Sequence, residues 1–368
     1  MRIEGLYLKD FRNYETLELV SDKNITFLIG DNAQGKTNIL ESIFLLATGR
    51  SHRTNNDQEL ISWGKSFFTV KAKFFRMGSE HTLEIRYAEQ PKKKVILLDG
   101  IENKLREILG QITTVFFSPE DLWLVKGMPA LRRRFLDLEI SQINPAYYRY
   151  LQQYARIISQ RNNTLRLIRE KRENESMLDI WDVQLADIGE KIINKRMDAI
   201  KKLSMLARLM HRKITDGKEE LSIQYKSQGE YLKDPGQVKE IMAQNLKNNR
   251  QQDIARANTS VGPHRDDLLL NVNGYDLRVF GSQGQQRTGV LALKLAELEY
   301  MKSETGEYPL LLLDDVLSEL DGERRRYLVE TIKDRVQTFI TTTGTDKLDV
   351  PFEKIDVVYV KNGHIRRE

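Results

Sequence analysis

Residues 30–37, Gly-Asp-Asn-Ala-Gln-Gly-Lys-Thr, constrain the fold more than any other stretch of the chain. They match the pattern G-x-x-x-x-G-K-[S/T] at every fixed position. The β-rich run 25–29 precedes this loop, and a helix after it is indicated by apolar residues at helical spacing: Ile39, Leu40, Ile43, Phe44 and Leu46. In a strand–loop–helix unit of this kind, backbone N–H groups converge on a phosphate at the helix N-terminus. The sequence therefore predicts an α/β fold that holds a nucleotide phosphate.

The fixed residues of this loop have distinct predicted tasks. Gly30 and Gly35 allow the backbone to wrap tightly around the phosphate. Lys36 is predicted to reach the β- and γ-phosphates, and the Thr37 hydroxyl is predicted to ligate Mg²⁺. The alternative, a chance match in a glycine-containing loop, is disfavoured by the strand and helix that flank it.

An acidic pair near the C-terminus supplies the second metal anchor that such a loop needs. Four leucines, Leu310–Leu313, indicate a strand buried on both faces, and Asp314 and Asp315 follow it directly. We expect Asp314 to complete the Mg²⁺ shell and Asp315 to act as the general base that polarises the attacking water. A buried strand that ends in a solvated acidic turn is the alternative.

A second phosphate cradle is predicted at the start of another helix. Ser282, Gln283, Gly284 and Gln285 place a hydroxyl, amides and a flexible glycine at a helix N-terminus. One ATP already has its cradle at Lys36, so we expect this second cradle to serve an ATP held by another subunit. The alternative is an ordinary capped helix that begins in a flexible loop.

The composition and hydrophobic pattern along the chain predict three segments. Residues 1–120 are β-rich, with a hairpin turn at Asp99-Gly100, and form the first part of a mixed-sheet domain. Residues 121–260 form an inserted α-helical domain with a short antiparallel hairpin: one helix covers about 146–171, and a stripe from Trp181 to Met210 marks the other. Residues 261–368 return to alternating strands and helices, with a hairpin turn at Asn273-Gly274.

Composition adds exclusions to this organisation. The chain of 368 residues has no cysteine, which excludes disulfides and thiolate metal sites and makes a reducing cytosol the expected compartment. No signal-peptide core and no run of about 18 apolar residues is present, so no membrane association is expected. The net charge of +5 and the pI near 9.0 permit a polyanionic partner without demanding one.

In this order and spacing, these elements resemble the ABC/SMC-type ATPase heads and, within them, the RecF family of bacterial recombination mediators. The resemblance covers essentially the whole chain. It rests on the motifs LKDFRNYE, GDNAQGKTN, TTVFFSPEDLWLVKG, RRRFLD, GPHRDD, SQGQQRT and LLLDDVLSELD.

The resemblance implies an ABC-type ATPase head, a mixed sheet plus an antiparallel β-rich lobe, with an inserted helical arm. It implies a weak, DNA-stimulated ATPase whose cofactors are ATP and Mg²⁺ and whose homodimer forms on ATP. This dimer would bind double-stranded and gapped DNA and, with RecR and RecO, help load RecA. By motif, ATP would be bound by Asn32, Gly35, Lys36, Thr37 and Asn38, with Arg12 and Asn13 of FRNY close to the nucleotide. The second subunit would contribute the cradle at Ser282.

Two departures from the wider ABC pattern favour slow, switch-like hydrolysis. The switch strand ends in Thr341-Thr342-Thr343, where transporter ATPases place a histidine. The segment FFSPED stands where they have a lid-loop glutamine, so Ser118 or Glu120 is the candidate for that role. Glu120 is also the second candidate for the catalytic base.

Candidate DNA contacts come from the β-rich half, whose surface could form a basic saddle across a dimer. The alternative for each is an ordinary solvated charge. The candidates are Arg50, His52, Arg53, Lys65, Lys71, Lys73, Lys92, Lys93 and Lys94.

Three other functions compete with this interpretation. The nucleotide-binding subunit of a membrane transporter would require a transporter-type signature and a switch histidine. A P-loop kinase for a small metabolite would leave the Ser282 cradle unexplained. A DNA clamp that uses ATP without hydrolysing it remains open on the sequence.

Overall fold

A computed structural model of the chain describes residues 1–21, 23–227, 235–344 and 355–367. The chain divides into two compact units. Unit 1 consists of Met1–Leu122 and Leu291–Glu368, and unit 2 consists of Trp123–Val290. The second border falls inside one helix, α10, Gln283–Thr305.

Unit 1 contains two six-stranded sheets and the helices between and around them. Its strands are β1 Arg2–Phe11, β2 Tyr14–Val20, β3 Ile25–Ile29, β4 Phe67–Arg76, β5 Ser79–Ala88, β6 Lys93–Leu98, β7 Ile101–Asn103, β8 Thr114–Phe117, β12 Leu310–Asp314, β13 Thr338–Thr342, β14 Ile355–Lys361 and β15 His364–Arg367. Its helices are α1 Lys36–Thr48, α2 Leu105–Ile108, α11 Val316–Glu319 and α12 Gly322–Ile332, with 3₁₀ turns at Asp57–Leu60 and Pro119–Leu122.

The first sheet has the order β15-β14-β3-β13-β12-β8 and is parallel except for its edge strand β15. Two of its inner strands are mainly apolar because both faces are covered: every residue of β3 is buried, as are all four leucines of β12. Parallel strands end at the same edge of a sheet. The residues at the ends of β3, β8, β12 and β13 are therefore neighbours, and the phosphate loop, Glu120 and the acidic pair Asp314-Asp315 all lie at this edge.

The second sheet is antiparallel, with the order β2-β1-β4-β5-β6-β7. Along β4 exposed and buried residues alternate, so Lys71 and Lys73 lie on the solvent face opposite Val70 and Phe74. The predicted hairpin turn at Asp99-Gly100 is confirmed: both residues have positive φ, 51° and 81°, as a two-residue turn between β6 and β7 requires.

Helix α1 lies between the two sheets of unit 1. It contacts β4 and β5 of the antiparallel sheet and β8, β12 and β13 of the parallel one. Every residue from Ile39 to Thr48 is buried. A helix covered on all sides has no solvent face, which explains why its sequence is apolar almost all round. The phosphate loop is thus attached to the most deeply buried helix of the unit.

Unit 2 is mainly helical. Its helices are α3 Trp123–Lys126, α4 Pro129–Ile143, α5 Pro145–Arg169, α6 Leu178–Ile214, α7 Val238–Asn248, α8 Arg250–Arg256 and α9 Leu277–Phe280, and 3₁₀ turns lie at Glu175–Met177 and Pro235–Gln237. Its strands are β9 Leu221–Lys226, β10 Asp267–Val272 and β11 Tyr275–Asp276. The predicted helical hairpin is confirmed by α5 and α6, which pack together, and Leu185, Ile192, Ile200 and Leu203 of the predicted stripe are buried.

Unit 2 differs from the sequence prediction in two respects. The predicted hairpin at Asn273-Gly274 exists, but β10 pairs with β9 in a three-stranded sheet of unit 2. This pairing extends the unit to Val290, beyond the predicted 260. The second strand of this hairpin is also short: it ends at Asp276, and Leu277–Phe280 form the helix α9. Among the described residues, no helix is both long and apolar enough to cross a membrane.

Candidate active site

In the phosphate loop, Gly35 has a positive φ and lies against the side chains of Asn13 and Tyr14 from the β1–β2 connection. Gly35 has φ +114°, and a Cβ there would lie 2.5 Å from the Asn13 amide and 2.8 Å from the Tyr14 hydroxyl. The Tyr14 hydroxyl donates to the Gly35 carbonyl at 3.0 Å. Only glycine fits both the backbone angle and the space, so the motif's second glycine has a steric cause in this fold.

Lys36 begins α1, and its side chain folds back over the loop. Its Nζ donates to the carbonyls of Gly30 at 2.5 Å and Asp31 at 2.9 Å. The residue is only 5% exposed, and two of the three N–H groups of its ammonium donate to these carbonyls. This ammonium therefore lies inside the ring of the loop, where a phosphate group would meet it.

The predicted metal anchors lie side by side across the parallel strands. The Thr37 hydroxyl donates to Asp314 Oδ1 at 2.9 Å, and the Thr341 hydroxyl donates to the same oxygen at 2.8 Å. These hydroxyl and carboxylate oxygens are ligands that Mg²⁺ accepts. Among the described residues no group of three or more His, Cys, Asp or Glu side chains forms a metal cluster. A Mg²⁺ ion here would therefore rely on nucleotide oxygens for the rest of its shell.

Asp315 follows Asp314, the predicted metal ligand, in an unusual backbone conformation. Its φ is 54°, in the left-handed region, and its N–H donates to the Thr341 hydroxyl at 2.9 Å. Within the described ranges its carboxylate has no hydrogen-bond partner, so the group is available to a water molecule or a substrate. Glu120, the second candidate base, is exposed just after β8, the strand that pairs with β12.

Asn13 and Asn38 connect the loop to its surroundings. Asn13 Nδ2 donates to the Gln34 carbonyl at 2.9 Å, and Asn38 Nδ2 donates to Asn13 Oδ1 at 2.7 Å. Gln34 is held from the other side, because its Oε1 accepts the Asn362 N–H at 2.7 Å. Asn32 is exposed at the tip of the loop. The structure thus brings the FRNY segment to the phosphate loop, where the sequence predicted it.

Arg12 lies near the loop but is not directed at a phosphate position. Its Nε and Nη2 donate to the two carboxylate oxygens of Glu41 at 2.9 and 2.7 Å, and its Nη1 donates to the Glu59 carbonyl at 2.8 Å. Glu41 was missed by the sequence reasoning. Its signal was present: it is the single charge between Asn38 and Thr48 in an otherwise apolar helix.

The predicted second cradle lies at the start of α10, within unit 2. The Ser282 N–H donates to Gln285 Oε1 at 2.8 Å, and the Gln285 N–H donates to Ser282 Oγ at 3.2 Å. This is a reciprocal helix cap, and Gln285 Nε2 is further tied to Glu219 at 2.8 Å. Ser282, Gln283 and Gly284 are exposed. The cap orders the helix start and leaves these three residues open to solvent.

The candidate DNA contacts fall into two groups. Some are engaged within the protein: Lys65 with Asp10 and Glu15, Lys73 with Glu4 and Glu80, Lys94 with Asp57, and Arg53 with Asn38 and Glu41. Arg50, Lys71, Lys92 and Lys93 are exposed and have no side-chain partner among the described residues.

His52 belongs to neither group. Its ring is half-buried and lies 4.2 Å from the Phe116 ring, between centroids, with Phe44 at its edge. Burial lowers the pKa of His52 to about 4, so the ring is neutral at pH 7. A neutral imidazole supplies no charge to a DNA phosphate.

Two motifs that carried the resemblance, RRRFLD and GPHRDD, interlock inside unit 2. Arg132 donates to both carboxylate oxygens of Asp267, at 2.8 and 2.9 Å, and Arg133 donates to the Asp266 carbonyl at 2.7 Å. Arg196 bridges the Asp137 carboxylate and the Pro263 carbonyl. These motifs therefore organise the framework of unit 2.

Sequence comparisons agree with the geometry. The family model described as the RecF/RecN/SMC N terminal domain matches residues 2–366. The DNA replication and repair protein RecF of Halothermothrix orenii is 46% identical over 100% of this chain and 99% of its own length. The protein of that name from Enterococcus faecalis is 44% identical over the same shares.

Solved structures show the same relationship. Two structures of the recombination mediator protein RecF, with ATPrS and with ATP, superpose with TM-scores of 0.93 and 0.92 at 35% and 36% identity. Each comparison covers 100% of this chain and 98% or 97% of the other. An SMC head matches over 100% of this chain and 98% of its own, with a TM-score of 0.57 and 16% identity. This likeness shows the shared ATPase-head fold alone. The chain belongs to the RecF family, within the wider RecF/RecN/SMC group.

Proposed function

We propose that this chain is an ATP-dependent DNA-binding protein of replication and repair, whose slow ATP hydrolysis switches a homodimer. The observation that carries the proposal is the convergence of Lys36, Thr37, Asp314 and Thr341 at one edge of the parallel sheet. Lysine, hydroxyl and carboxylate are the groups that hold a nucleoside triphosphate and its Mg²⁺. The RecF relatives, which are DNA replication and repair proteins, support the biological setting.

ATP is the nucleotide we assign to the site, because RecF structures have been solved with ATP and with ATPrS. Lys36 would bind the β- and γ-phosphates, and Thr37 and Asp314 would hold Mg²⁺. The bound ion would neutralise charge on the phosphates. Asp315 would take the proton of a water whose oxygen attacks the γ-phosphorus as the bond to ADP breaks.

We propose a dimer because the two predicted phosphate cradles would contact the same nucleotide from different chains. The phosphate loop and the acidic pair would bind one nucleotide within a chain. The exposed Ser282, Gln283 and Gly284 would approach that nucleotide's γ-phosphate from the second chain. The missing switch histidine favours slow turnover, which suits a protein that holds DNA while ATP is bound.

The partners we propose are double-stranded and gapped DNA and the proteins RecR and RecO, with RecA loading as the outcome. The relatives' description as recombination mediators in the RecFOR pathway supports this set. The unpaired cations Arg50, Lys71, Lys92 and Lys93 are the groups we assign to DNA phosphates.

Sedimentation velocity tests the proposal directly. The chain should sediment as a monomer without nucleotide and as a dimer with ATP, Mg²⁺ and gapped duplex. Ser282→Arg should bind ATP with unchanged affinity yet remain a monomer, because the bulky cation blocks the second chain's approach. A monomer under all conditions in the unmodified protein would reject the ATP-driven dimer.

A further inference from the structure

Glu41 is a charged residue in the most deeply buried helix of unit 1. It lies one helical turn beyond Thr37 and has no exposed area. Its carboxylate accepts both donors of the Arg12 fork, and it accepts the Ser51 hydroxyl at 2.5 Å. Arg53 Nη1 lies 3.7 Å from the same carboxylate. One buried anion therefore meets two arginines and a serine at the base of the phosphate loop.

A buried carboxylate is unfavourable unless its partners compensate for the lost hydration. Burial alone would raise the pKa of Glu41, but the hydrogen bonds from Arg12 and Ser51 outweigh it and hold that pKa below its ordinary value. The side chain is therefore ionised at neutral pH. An apolar residue would fill this place in α1 without that requirement, so the charge has a use beyond packing.

The two arginines differ in how many of their N–H donors are free for a ligand. Arg12 has committed Nε and Nη2 to Glu41 and Nη1 to the Glu59 carbonyl. Arg53 uses Nη1 for Asn38 Oδ1, at 3.0 Å, and its side chain is 48% exposed. Among the described residues its Nε and Nη2 have no partner. Arg53 thus presents free N–H donors beside Asn38, immediately after the phosphate-loop threonine.

Glu41 controls the place of Arg53 by two routes. The direct route is the ion pair at 3.7 Å. The indirect route runs through Ser51, whose Oγ donates to Glu41 and accepts the backbone N–H groups of Arg53 at 2.9 Å and Thr54 at 3.2 Å. The carboxylate therefore orders both the backbone and the guanidinium of this loop.

We propose that Glu41 is a positioning residue of the nucleotide site, which holds Arg53 so that its free N–H donors contact the phosphates of the bound nucleotide. This inference rests on the proposed ATP binding and deepens it. It moves Arg53 from the DNA surface to the nucleotide, and it gives Arg12 the task of neutralising Glu41.

A double-mutant cycle on ATP affinity tests this assignment. In calorimetric titrations with ATP and Mg²⁺, Arg53→Ala should raise the dissociation constant for ATP by about tenfold, because a charge-assisted hydrogen bond is lost. Glu41→Gln should weaken it by a similar factor. The double variant should bind no more weakly than the weaker single variant, because both changes remove one contact. The inference would be overturned if the two single-variant increases in dissociation constant multiplied in the double variant, or if Arg53→Ala bound ATP with unchanged affinity.

Controls separate positioning from general damage. Arg106→Ala, an exposed arginine of unit 1 paired with Glu107, should leave ATP affinity unchanged, alone or combined with Glu41→Gln. If Glu41→Gln does not fold, Ser51→Ala takes its place in the cycle, because it breaks the indirect route and keeps the ion. An unmodified protein that binds no ATP would reject the proposed function itself, whereas tight binding with multiplying effects would reject only the role of Glu41.

Discussion

Thr341 links Asp314 and Asp315, the two acidic residues on which the proposed chemistry depends. Its hydroxyl donates to the Asp314 carboxylate and accepts the backbone N–H of Asp315, so a single oxygen orients the proposed metal ligand and the residue after it. Asp315 keeps a left-handed backbone with φ 54°, a conformation that costs free energy in a non-glycine residue. The Asp315 carboxylate has no hydrogen-bond partner within the described chain.

Asp315→Asn is the residue-scale test of this arrangement. The amide keeps the shape of the side chain but cannot accept a proton from water, so chemistry should suffer more than binding. We expect ATP affinity within about twofold of the unmodified protein and phosphate release at least about a hundredfold slower.

Glu120→Gln is the matched comparison, measured in the same phosphate-release assay. It should change turnover less than Asp315→Asn, since Glu120 is an exposed residue after β8. Full turnover in Asp315→Asn together with its loss in Glu120→Gln would transfer the role of base to Glu120.

Among single residues, the sequence predicted those whose role follows from a local motif. Lys36, Thr37 and Asp314 lie together as expected, because motif spacing and parallel strand ends determine their positions. Glu41 escaped prediction, since its partners Arg12, Ser51 and Arg53 approach from a strand end and a loop that sequence spacing does not place. The FRNY motif predicted that Arg12 lies close to the nucleotide, but its carboxylate partner Glu41 was not visible in that motif.

At the scale of elements, the loop between α8 and β10 is tied to α5 by a half-buried histidine. His264 Nδ1 lies 2.9 Å from the Tyr154 hydroxyl, and Nε2 lies 3.1 Å from the Thr259 carbonyl. Since a carbonyl only accepts, Nε2 carries the proton and Nδ1 accepts from tyrosine. Burial lowers the pKa of His264 to about 4, below its ordinary value of 6.5. The neutral ring is therefore the form that unit 2 is built around.

The lowered pKa of the half-buried His264 ring predicts a loss of stability in mild acid. The folded-state pKa lies below the unfolded one, so the unfolded chain takes up the proton first, and stability present above pH 6.5 is lost as pH falls toward 4. The contribution lost should reach about 2 kcal/mol by pH 5. Urea unfolding at pH 7 and pH 5 measures it.

His264→Gln isolates this contribution from the other groups that titrate in the same range. The glutamine does not titrate, so the free energy of unfolding should fall less between pH 7 and pH 5 than in the unmodified protein. Equal losses in the two proteins would show that His264 is not the responsible group.

Elements were predictable where the pattern is local. The helical hairpin, the Asp99-Gly100 turn and the strand–loop–helix unit each carry their signal within a few dozen residues. The three-stranded sheet of unit 2 does not, because β9 pairs with β10 some forty residues later, and the described part of the intervening chain contains the helices α7 and α8. The stretch Leu277–Phe280 has strand-like composition, yet it turns into α9, with Asp276 capping its first turn.

For the whole molecule, the distribution of charge matters more than its sum. The net charge of +5 is modest, and many cations of the β-rich half are paired with carboxylates inside unit 1. Arg50, Lys71, Lys92 and Lys93 have no such partner in the described chain. We expect DNA affinity to depend on these four.

DNA binding should therefore be electrostatic, largely independent of sequence and dependent on ATP. With ATP bound, affinity for gapped duplex should fall about tenfold or more between 50 and 200 mM salt, because counterions are released from several phosphates. Fluorescence anisotropy with labelled duplexes of different sequence measures this. Arg50→Ala with Lys71→Ala should weaken binding evenly across sequences.

A matched variant, Lys73→Ala, removes a cation already paired with Glu4 and Glu80 and should have a smaller effect. ATP affinity should be unchanged in both variants, since in the described chain none of the three side chains they remove contacts the phosphate loop. Tight, salt-independent DNA binding by the nucleotide-free monomer would contradict the electrostatic model.

The order of strands around β3 has a consequence for synthesis of the chain on the ribosome. β3 ends in the phosphate loop and emerges within the first thirty residues, but both strands that flank it, β13 and β14, come from residues 338–361. The antiparallel strands β1, β2 and β4–β7 and all of unit 2 can pair and pack long before that point. A nascent or truncated chain that stops before Thr338 carries the entire phosphate-loop motif and still lacks the sheet that supports it. The nucleotide pocket is therefore completed last, so only a nearly full-length product can bind ATP.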